Sequence, residues 1–192
     1  MWSLMSIVAL AVVVFIHEFG HYFIAKAMGV RVLEVQVFFF PLVTYEPETD
    51  STTPVDSWRR TRWVLGLLPL GGVTQFYDAG PYSPLSLSSK APWQRLLISL
   101  GGIVFNLVTA LAVLLWWLIG LPLPALLLNV GYISFMLALL NLIPVYPLDG
   151  GQALFIAYEM VTGRAPSDEF RRIAGIVGSI FIIIFFWILP LF

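Results

Sequence analysis

Residues 96–148 read LLISLGGIVFNLVTALAVLLWWLIGLPLPALLLNVGYISFMLALLNLIPVYPL and contain no charged side chain. This run is too long for one membrane crossing, which takes about 20 residues. The Gly-Leu-Pro-Leu-Pro segment at 120–124 divides it, because proline removes a helix donor and glycine loosens the backbone. We therefore expect one membrane span at about 96–119 and another at about 125–146.

Two further apolar runs, at about 1–27 and 173–192, predict four membrane spans in a single domain that covers 1–192. Only 11% of the residues are charged, whereas soluble domains contain about 25%, and the mean hydropathy is +0.92. This composition excludes a disordered chain, a nucleic-acid binder and an ordinary soluble domain. The expected environment is a lipid bilayer, and no nucleic-acid partner is expected.

The basic residues predict the orientation of the chain. All ten Lys and Arg lie within or at the borders of two segments, at about 27–94 and 147–172. The positive-inside rule places both segments in the cytoplasm and both termini outside.

The first of these segments predicts strands as well as loops. Residues 30–40 are rich in Val and Phe and partly alternate, and 62–70 and 72–77 predict further short strands. The expected fold class is therefore an all-α membrane protein with about four transmembrane helices. A small membrane-associated β-strand and loop region follows the first helix at about 28–94, and a short helix is expected at about 152–163.

Both histidines of the chain lie in one motif, His17-Glu18-Phe19-Gly20-His21, which has the pattern H-E-x-x-H. On a helix the two imidazoles share a face and can bind one metal ion. Glu18 then projects beside the metal, where it can serve as a general base. The alternative is a histidine pair satisfied by neighbouring helices, but ionisable residues inside a span are costly and usually functional.

Asp149 is the expected third ligand. A catalytic zinc normally has three protein ligands, and the chain offers no cysteine and no third histidine. Asp149 ends the uncharged run. Pro144 and Pro147 break the third span before it, and Gly150 and Gly151 allow a sharp turn before the next helix. Broken helices at membrane depth line a cavity or are buried in protein. The alternative role for Asp149 is to cap the following helix.

Together these residues resemble the site-2 protease family of intramembrane zinc metalloproteases, and most of all its bacterial members that cleave anti-sigma factors. The motif at 17–21 is similar to the zinc helix of the family, Leu148-Asp149-Gly150 to its third-ligand motif, and the Pro-Leu-Gly-Gly-Val segment at 69–73 to its edge loop. Those members carry PDZ domains between the second and third spans. Here only residues 120–124 lie between those spans, so the chain lacks PDZ domains at this position.

The resemblance implies a role for each of these residues. One zinc ion per chain would be bound by His17, His21 and Asp149, with Glu18 as the general base. Substrate would be held by the remaining residues of the resemblance, namely Asn106, Asn141, Gly71, Gly72, Val73 and Thr74. An interhelical hydrogen bond is the alternative role of each asparagine.

The predicted function is that of an intramembrane zinc endopeptidase in regulated intramembrane proteolysis. It would hydrolyse a peptide bond in or near a transmembrane segment of a membrane-protein substrate, using a metal-activated water. The expected location is the bacterial cytoplasmic membrane, with the active site toward the cytoplasm. The alternative is a membrane metal-binding or transport protein that uses the same His/His/Asp site. Transporters usually show inverted repeats and paired broken spans, whereas this sequence has one clear break, at 144–151, and no repeat.

Overall fold

The computed structural model describes residues 4–48, 52, 54 and 60–188. The fold is mostly helical, with one small sheet between the first and second helices. The elements in chain order are α1 (Leu4–Ala27), β1 (Val32–Tyr45), β2 (Arg62–Phe76), a 3-10 turn (Leu87–Ser89), α2 (Pro92–Leu118), α3 (Ala125–Leu142), α4 (Asp149–Thr162) and α5 (Asp168–Ile188).

Three of the described helices, α1, α2 and α3, are long and apolar enough to cross a membrane. They correspond to the first three predicted spans and make the chain a multi-pass membrane protein. The predicted fourth span at 173–192 overlaps α5, but residues 189–192 lie outside the described part of the chain. The predicted count of four spans is therefore not confirmed.

The helix ends differ from their predicted positions for local chemical reasons. Helix α2 begins at Pro92 rather than 96, because proline suits the first turn and the Gln94 side chain accepts the Ala91 N–H at 3.0 Å. Helix α3 ends at Leu142 rather than 146, because Pro144 has no N–H to continue the helix.

Helix α2 is central, because it contacts α1, α3 and α4. Its crossing with α1 is close at Gly20, where an added Cβ would lie only 2.4 Å from the carbonyl oxygen of Gly101. Its contact with α3 is close at Gly131, where a Cβ would lie 2.6 Å from Val113. Small residues of this kind let transmembrane helices approach closely. The α1–α2 crossing therefore sets the environment of the residues that follow His17.

Strands β1 and β2 form a two-stranded antiparallel sheet. The predicted strand at 30–40 extends to Tyr45. The two predicted strands at 62–70 and 72–77 correspond to the single element β2, and its two parts, 62–65 and 72–75, both pair with 34–37 of β1. Strand β1 bends where Phe38 and Phe40 adopt φ values of 70° and 59°. Because of this bend, Trp63 of β2 pairs with both Val35 and Tyr45 of β1.

Residues 72–76 of β2 lie at an edge of this sheet. They pair with β1 through Gly72–Val37 and Thr74–Val35, and among the described residues they have no second strand partner. A buried apolar cluster holds the sheet against the C-terminal half of α1 and the start of α2; its members are Tyr22, Ala25, Val30, Val32, Val35 and Ile98. This packing brings the edge of β2 beside α1 at Glu18.

Candidate metal centre

Three potential ligand atoms meet where α1 lies against the start of α4. The Nε2 atoms of His17 and His21 are 3.2 Å apart, and Oδ2 of Asp149 lies 2.9 Å from the first and 3.2 Å from the second. Ligands around a tetrahedral zinc with bonds of 2.0–2.1 Å are about 3.3 Å apart. The structure thus brings the three predicted ligands together at the spacing that one zinc ion requires.

The chemistry of the donor set also fits zinc. Nδ1 of His21 lies 2.8 Å from the carbonyl oxygen of Ile98. A carbonyl only accepts, so Nδ1 carries the proton and Nε2 presents its lone pair. Oδ2 of Asp149 is buried, and the Nε2 atoms of His17 and His21 face it at 2.9 Å and 3.2 Å. Two imidazole nitrogens and one carboxylate oxygen are a common ligand set of catalytic zinc.

Gly102 of α2 provides the space for the histidine pair. A Cβ at this position would lie 2.6 Å from the Nε2 atoms of both His17 and His21. That distance is far below van der Waals contact, and both rings are buried, with relative exposures of 6% and 7%. Glycine is therefore required here for the two nitrogens to face one point.

The turn before α4 positions Asp149. Helix α4 begins at Asp149, three residues before the predicted start at 152, and its cap residue Leu148 makes no side-chain capping bond. Ser99 of α2 donates its hydroxyl to the Asp149 carbonyl oxygen at 3.2 Å. The next residue, Gly150, lies so close to the carbonyl of Leu142 that a Cβ would come within 2.5 Å. The Asp149 side chain is directed at the histidines, which is not the capping role considered as the alternative.

Glu18 is buried beside the edge of β2. The hydroxyl of Thr74 donates to Oε2 of Glu18 at 2.7 Å and lies 3.2 Å from the Glu18 carbonyl oxygen. A Cβ on Gly72 would lie 2.7 Å from Cγ of Glu18. The family resemblance predicted Gly72 and Thr74 as substrate-binding residues. Their contacts with Glu18, the candidate base, were not predicted, because no local pattern relates residues more than 50 positions apart in the chain.

The two asparagines have different environments. Asn106 is fully buried, with 0% exposure, and its Nδ2 lies 3.2 Å from Nδ1 of His17 on the neighbouring helix. Asn141 donates its Nδ2 to the carbonyl of Leu137 at 3.0 Å, within its own helix. Asn106 thus makes an interhelical contact, as its alternative role predicted. The roles of both residues in substrate binding stay predictions.

A partly buried ion pair that the sequence did not reveal joins α2 to α4. Nη2 of Arg95 lies 2.5 Å from Oε1 of Glu159, and each side chain is 17% exposed. Together with the bond from Ser99, this pair fixes the helix that begins with Asp149 against the helix that carries Gly102.

Residues 5–124 and 119–185 match peptidase family M50. The chain belongs to this family. Its membership confirms the resemblance to site-2 proteases that the motifs at 17–21 and 148–150 indicated.

Individual relatives agree with this assignment. The chain is 34% identical over 135 residues to "Regulator of sigma-E protease RseP" of Escherichia coli (strain K12). The aligned region covers 64% of this chain and 27% of the relative. It is also 33% identical over 122 residues to a "Putative zinc metalloprotease" of Xylella fastidiosa (strain Temecula1). That aligned region covers 59% of this chain and 24% of the relative. The matched region thus spans about a quarter of the length of these curated relatives.

Proposed function

We propose that the chain acts as an intramembrane zinc endopeptidase, which hydrolyses a peptide bond in or near a transmembrane segment of a membrane-protein substrate. The observation that carries this proposal is the cluster of His17, His21 and Asp149, whose ligand atoms lie within 3.2 Å of one another. The buried Glu18 follows His17 directly in the chain, so a potential base lies next to the three potential ligands. The M50 family and the protease names of the relatives support the same activity.

The side chains of the site have distinct roles in this reaction. His17, His21 and Asp149 would hold one zinc ion, which supplies a Lewis acid that polarises the scissile carbonyl and lowers the pKa of water. Glu18 would accept the proton of the attacking water and deliver it to the leaving amine. Thr74 holds one oxygen of the Glu18 carboxylate by a hydrogen bond, so the other oxygen is the one that moves protons.

Substrate would bind as an extended strand along the edge formed by 71–76. This edge pairs with β1 on one side only among the described residues, and an added strand gains main-chain hydrogen bonds there. Gly72 lies against Glu18, so a substrate strand at this position would run past the base. A transmembrane substrate must first unwind, because the amides of a helix are shielded by their own hydrogen bonds. Asn141 is proposed as a further substrate contact, as the resemblance implies.

The proposed location is the cytoplasmic membrane of a bacterium, with the site toward the cytoplasm and both termini outside. The distribution of Lys and Arg supports this orientation. The chain has no cysteine, so single cysteines report the topology directly. Tyr82→Cys, at a residue that is 98% exposed, should react with a membrane-impermeant maleimide only from the cytoplasm, and Leu121→Cys, at a residue that is 48% exposed, only from outside. The opposite labelling pattern would reverse the proposed orientation.

The activity is tested with protein purified in detergent, a zinc count and a helical transmembrane peptide as substrate. We expect the wild type to bind one zinc and cleave the peptide. Glu18→Gln should keep the zinc and lose at least about 100-fold in kcat, because proton transfer by a general base contributes 10²–10⁴-fold. The matched control is Glu169→Gln, the same change at an exposed position of α5, which should behave as wild type.

Further results test the ligand assignment and the class of function separately. Asp149→Asn should lose zinc, whereas its matched control Asp168→Asn should retain it. Equal peptide cleavage by wild type and Glu18→Gln would contradict the protease proposal. A wild type that binds one zinc and cleaves no peptide would favour the alternative, a metal-binding or transport protein.

A further inference from the structure

Asn106 is a fully buried amide whose nitrogen contacts a proposed zinc ligand, His17, and whose oxygen has no partner among the described residues. Its Nδ2 lies 3.2 Å from Nδ1 of His17, across the interface of α1 and α2. Its Oδ1 is buried and has no hydrogen-bond partner among the described residues. Leaving either end of a buried amide without a partner is unfavourable by about 1–3 kcal/mol. The preferred orientation of the amide therefore depends on whether Nδ1 of His17 accepts or donates a hydrogen bond.

The orientation determines which nitrogen of His17 carries the proton. An amide nitrogen only donates, so it requires Nδ1 of His17 to accept. The neutral ring then carries its proton on Nε2, which faces Oδ2 of Asp149 at 2.9 Å. A ring in this tautomer cannot bind a metal through Nε2.

Rotation of the amide by 180° reverses this relationship without moving the ring. Oδ1 then takes the place of Nδ2, at hydrogen-bond distance from Nδ1 of His17, and the oxygen without a partner accepts the Nδ1–H. The Nε2 lone pair of His17 becomes free for a metal. A bound metal polarises the imidazole and strengthens the hydrogen bond at its other nitrogen, which favours this orientation in the loaded protein.

His21 has this arrangement already. Its Nδ1 donates to the carbonyl oxygen of Ile98 at 2.8 Å, and its Nε2 faces Asp149. Metal-binding histidines generally donate their other ring N–H to an oxygen acceptor, which fixes the tautomer and the ring orientation. His17 has no backbone carbonyl in the corresponding position among its described contacts, and Asn106 is the side chain placed to supply one.

We propose that Asn106 is the positioning residue of His17: its side-chain oxygen accepts the Nδ1–H and so fixes His17 as a zinc ligand. This role rests on the proposed zinc site and differs from the substrate contact that the resemblance implies for Asn106. The side chain is 0% exposed, so a substrate strand has no surface of Asn106 to bind.

The test measures zinc affinity by competition with a chelator, on the full chain in detergent and without a polyhistidine tag. Asn106→Leu should bind zinc about 10–100-fold more weakly, which is the usual effect of removing such a partner. Asn106→Asp should stay within a few-fold of wild type, because a carboxylate oxygen also accepts the Nδ1–H. The control is Thr109→Val on the same helix, where the hydroxyl bonds to Phe105 within α2; its zinc affinity should be unchanged.

A spectroscopic measurement separates positioning from packing. The chain contains two histidines, so ¹⁵N labelling of histidine gives two ring systems. In the zinc-loaded wild type both rings should carry the proton on Nδ1, and Asn106→Asp should keep this pattern. If Asn106→Leu does not fold, as judged by circular dichroism, the ¹⁵N pattern of wild type and Asn106→Asp still decides the matter.

Four other outcomes would contradict the positioning role of Asn106, and they can be told apart. Unchanged zinc affinity of Asn106→Leu, with a raised KM, would return Asn106 to substrate binding. Equal loss of affinity in Asn106→Asp and Asn106→Leu would reduce its role to packing. A His17 ring with its proton on Nε2 in the zinc-loaded protein would also contradict it. A wild type that binds no zinc would overturn both this inference and the proposed function.

Discussion

Thr74 donates its hydroxyl to Oε2 of Glu18 across 2.7 Å, and this bond connects the edge of the sheet to the proposed base. Gly72, two residues earlier on the same strand, lies against the other carboxylate oxygen: a Cβ there would come within 2.8 Å of Oε1. The strand proposed to bind substrate therefore also orients the carboxylate. Substrate position and base orientation are set by one element.

Thr74→Val should lower kcat about 10-fold and leave zinc affinity unchanged. The substitution keeps the volume of the side chain and removes its hydrogen bond, and bonds to charged groups contribute about 1.5–3 kcal/mol. Steady-state kinetics on the transmembrane peptide give kcat and KM separately. Thr74→Ser should restore most of the activity. A raised KM with unchanged kcat would mean that Thr74 acts on substrate and not on Glu18.

Gly102→Ala should abolish zinc binding at micromolar concentration while the helices remain folded. The added methyl would lie 2.6 Å from Nε2 of both His17 and His21, so the rings must turn away from Asp149. Metal content after dialysis and circular dichroism check the two parts of this prediction. Gly131→Ala is the contrasting variant, because its methyl would meet Val113 between α2 and α3. It should lower thermal stability and keep the zinc, and loss of zinc in both variants would contradict the steric explanation.

Arg95→Met should destabilise the protein by about 3 kcal/mol, because it leaves the charge of Glu159 in a site where each partner is only 17% exposed. The double variant Arg95→Met/Glu159→Met should recover most of this loss. In the native pair, Nε of Arg95 and Oε2 of Glu159 are buried and have no hydrogen-bond partner in the part of the chain that the structure describes, so the pair itself is incompletely satisfied.

Equilibrium unfolding in detergent measures these differences. Glu46→Gln is the control, since Glu46 is 66% exposed in its ion pair with Arg62, which is itself 48% exposed. Its effect should stay below about 1 kcal/mol. A double variant that is as unstable as Arg95→Met would show that the loss of stability comes from the packing of the two long side chains and not from the unpaired charge of Glu159.

Asp78→Asn should lower thermal stability at neutral pH, and the difference should vanish in acid. Partial burial raises the pKa of Asp78, but hydrogen bonds from the hydroxyls of Ser86 and Ser88, each at 2.5 Å, outweigh burial and hold this pKa below its ordinary value of 3.8. A carboxylate with a lowered folded pKa stabilises the protein above its unfolded pKa. That contribution is lost as the pH falls through the folded value.

The midpoint of thermal unfolding at pH 7 and at steps below pH 4 measures this dependence. The wild type should exceed Asp78→Asn at pH 7, and the two curves should converge as the pH falls below about 4. Asp168→Asn at the start of α5 is the control and should follow the wild type throughout. A difference that persists unchanged at the lowest pH would assign the effect to packing of the loop.

The boundaries of the helices were predicted within a few residues where a local signal marks them. Pro144 marks the end of α3 and the proline-containing segment at 120–124 separates α2 from α3, because proline acts on its own turn of helix. The extent of the strands was predicted less well. The continuation of β1 past Pro41 to Tyr45 depends on pairing with Trp63, and no local pattern specifies such a partner.

Most of the candidate site was predicted from short motifs. His17 and His21 share a helix face through the helical repeat alone. The uncharged run that ends at Asp149, together with the family resemblance, indicated Asp149 as the proposed third ligand. The hydrogen bonds around the site were not predicted. Thr74 and Glu18 are 56 residues apart, and Asn106 and His17 are 89 residues apart.

Local sequence therefore specified the spacing of the histidines, the proposed base beside them and the membrane environment, because backbone hydrogen bonds impose the helical repeat and apolar length sets the membrane span. Tertiary packing specified which groups satisfy those side chains. The close crossing at Gly20 and Gly101 places Asn106 behind His17, and the sheet packed on α1 places Thr74 beside Glu18. These contacts depend on the relative position of whole elements, which no stretch of a few residues encodes.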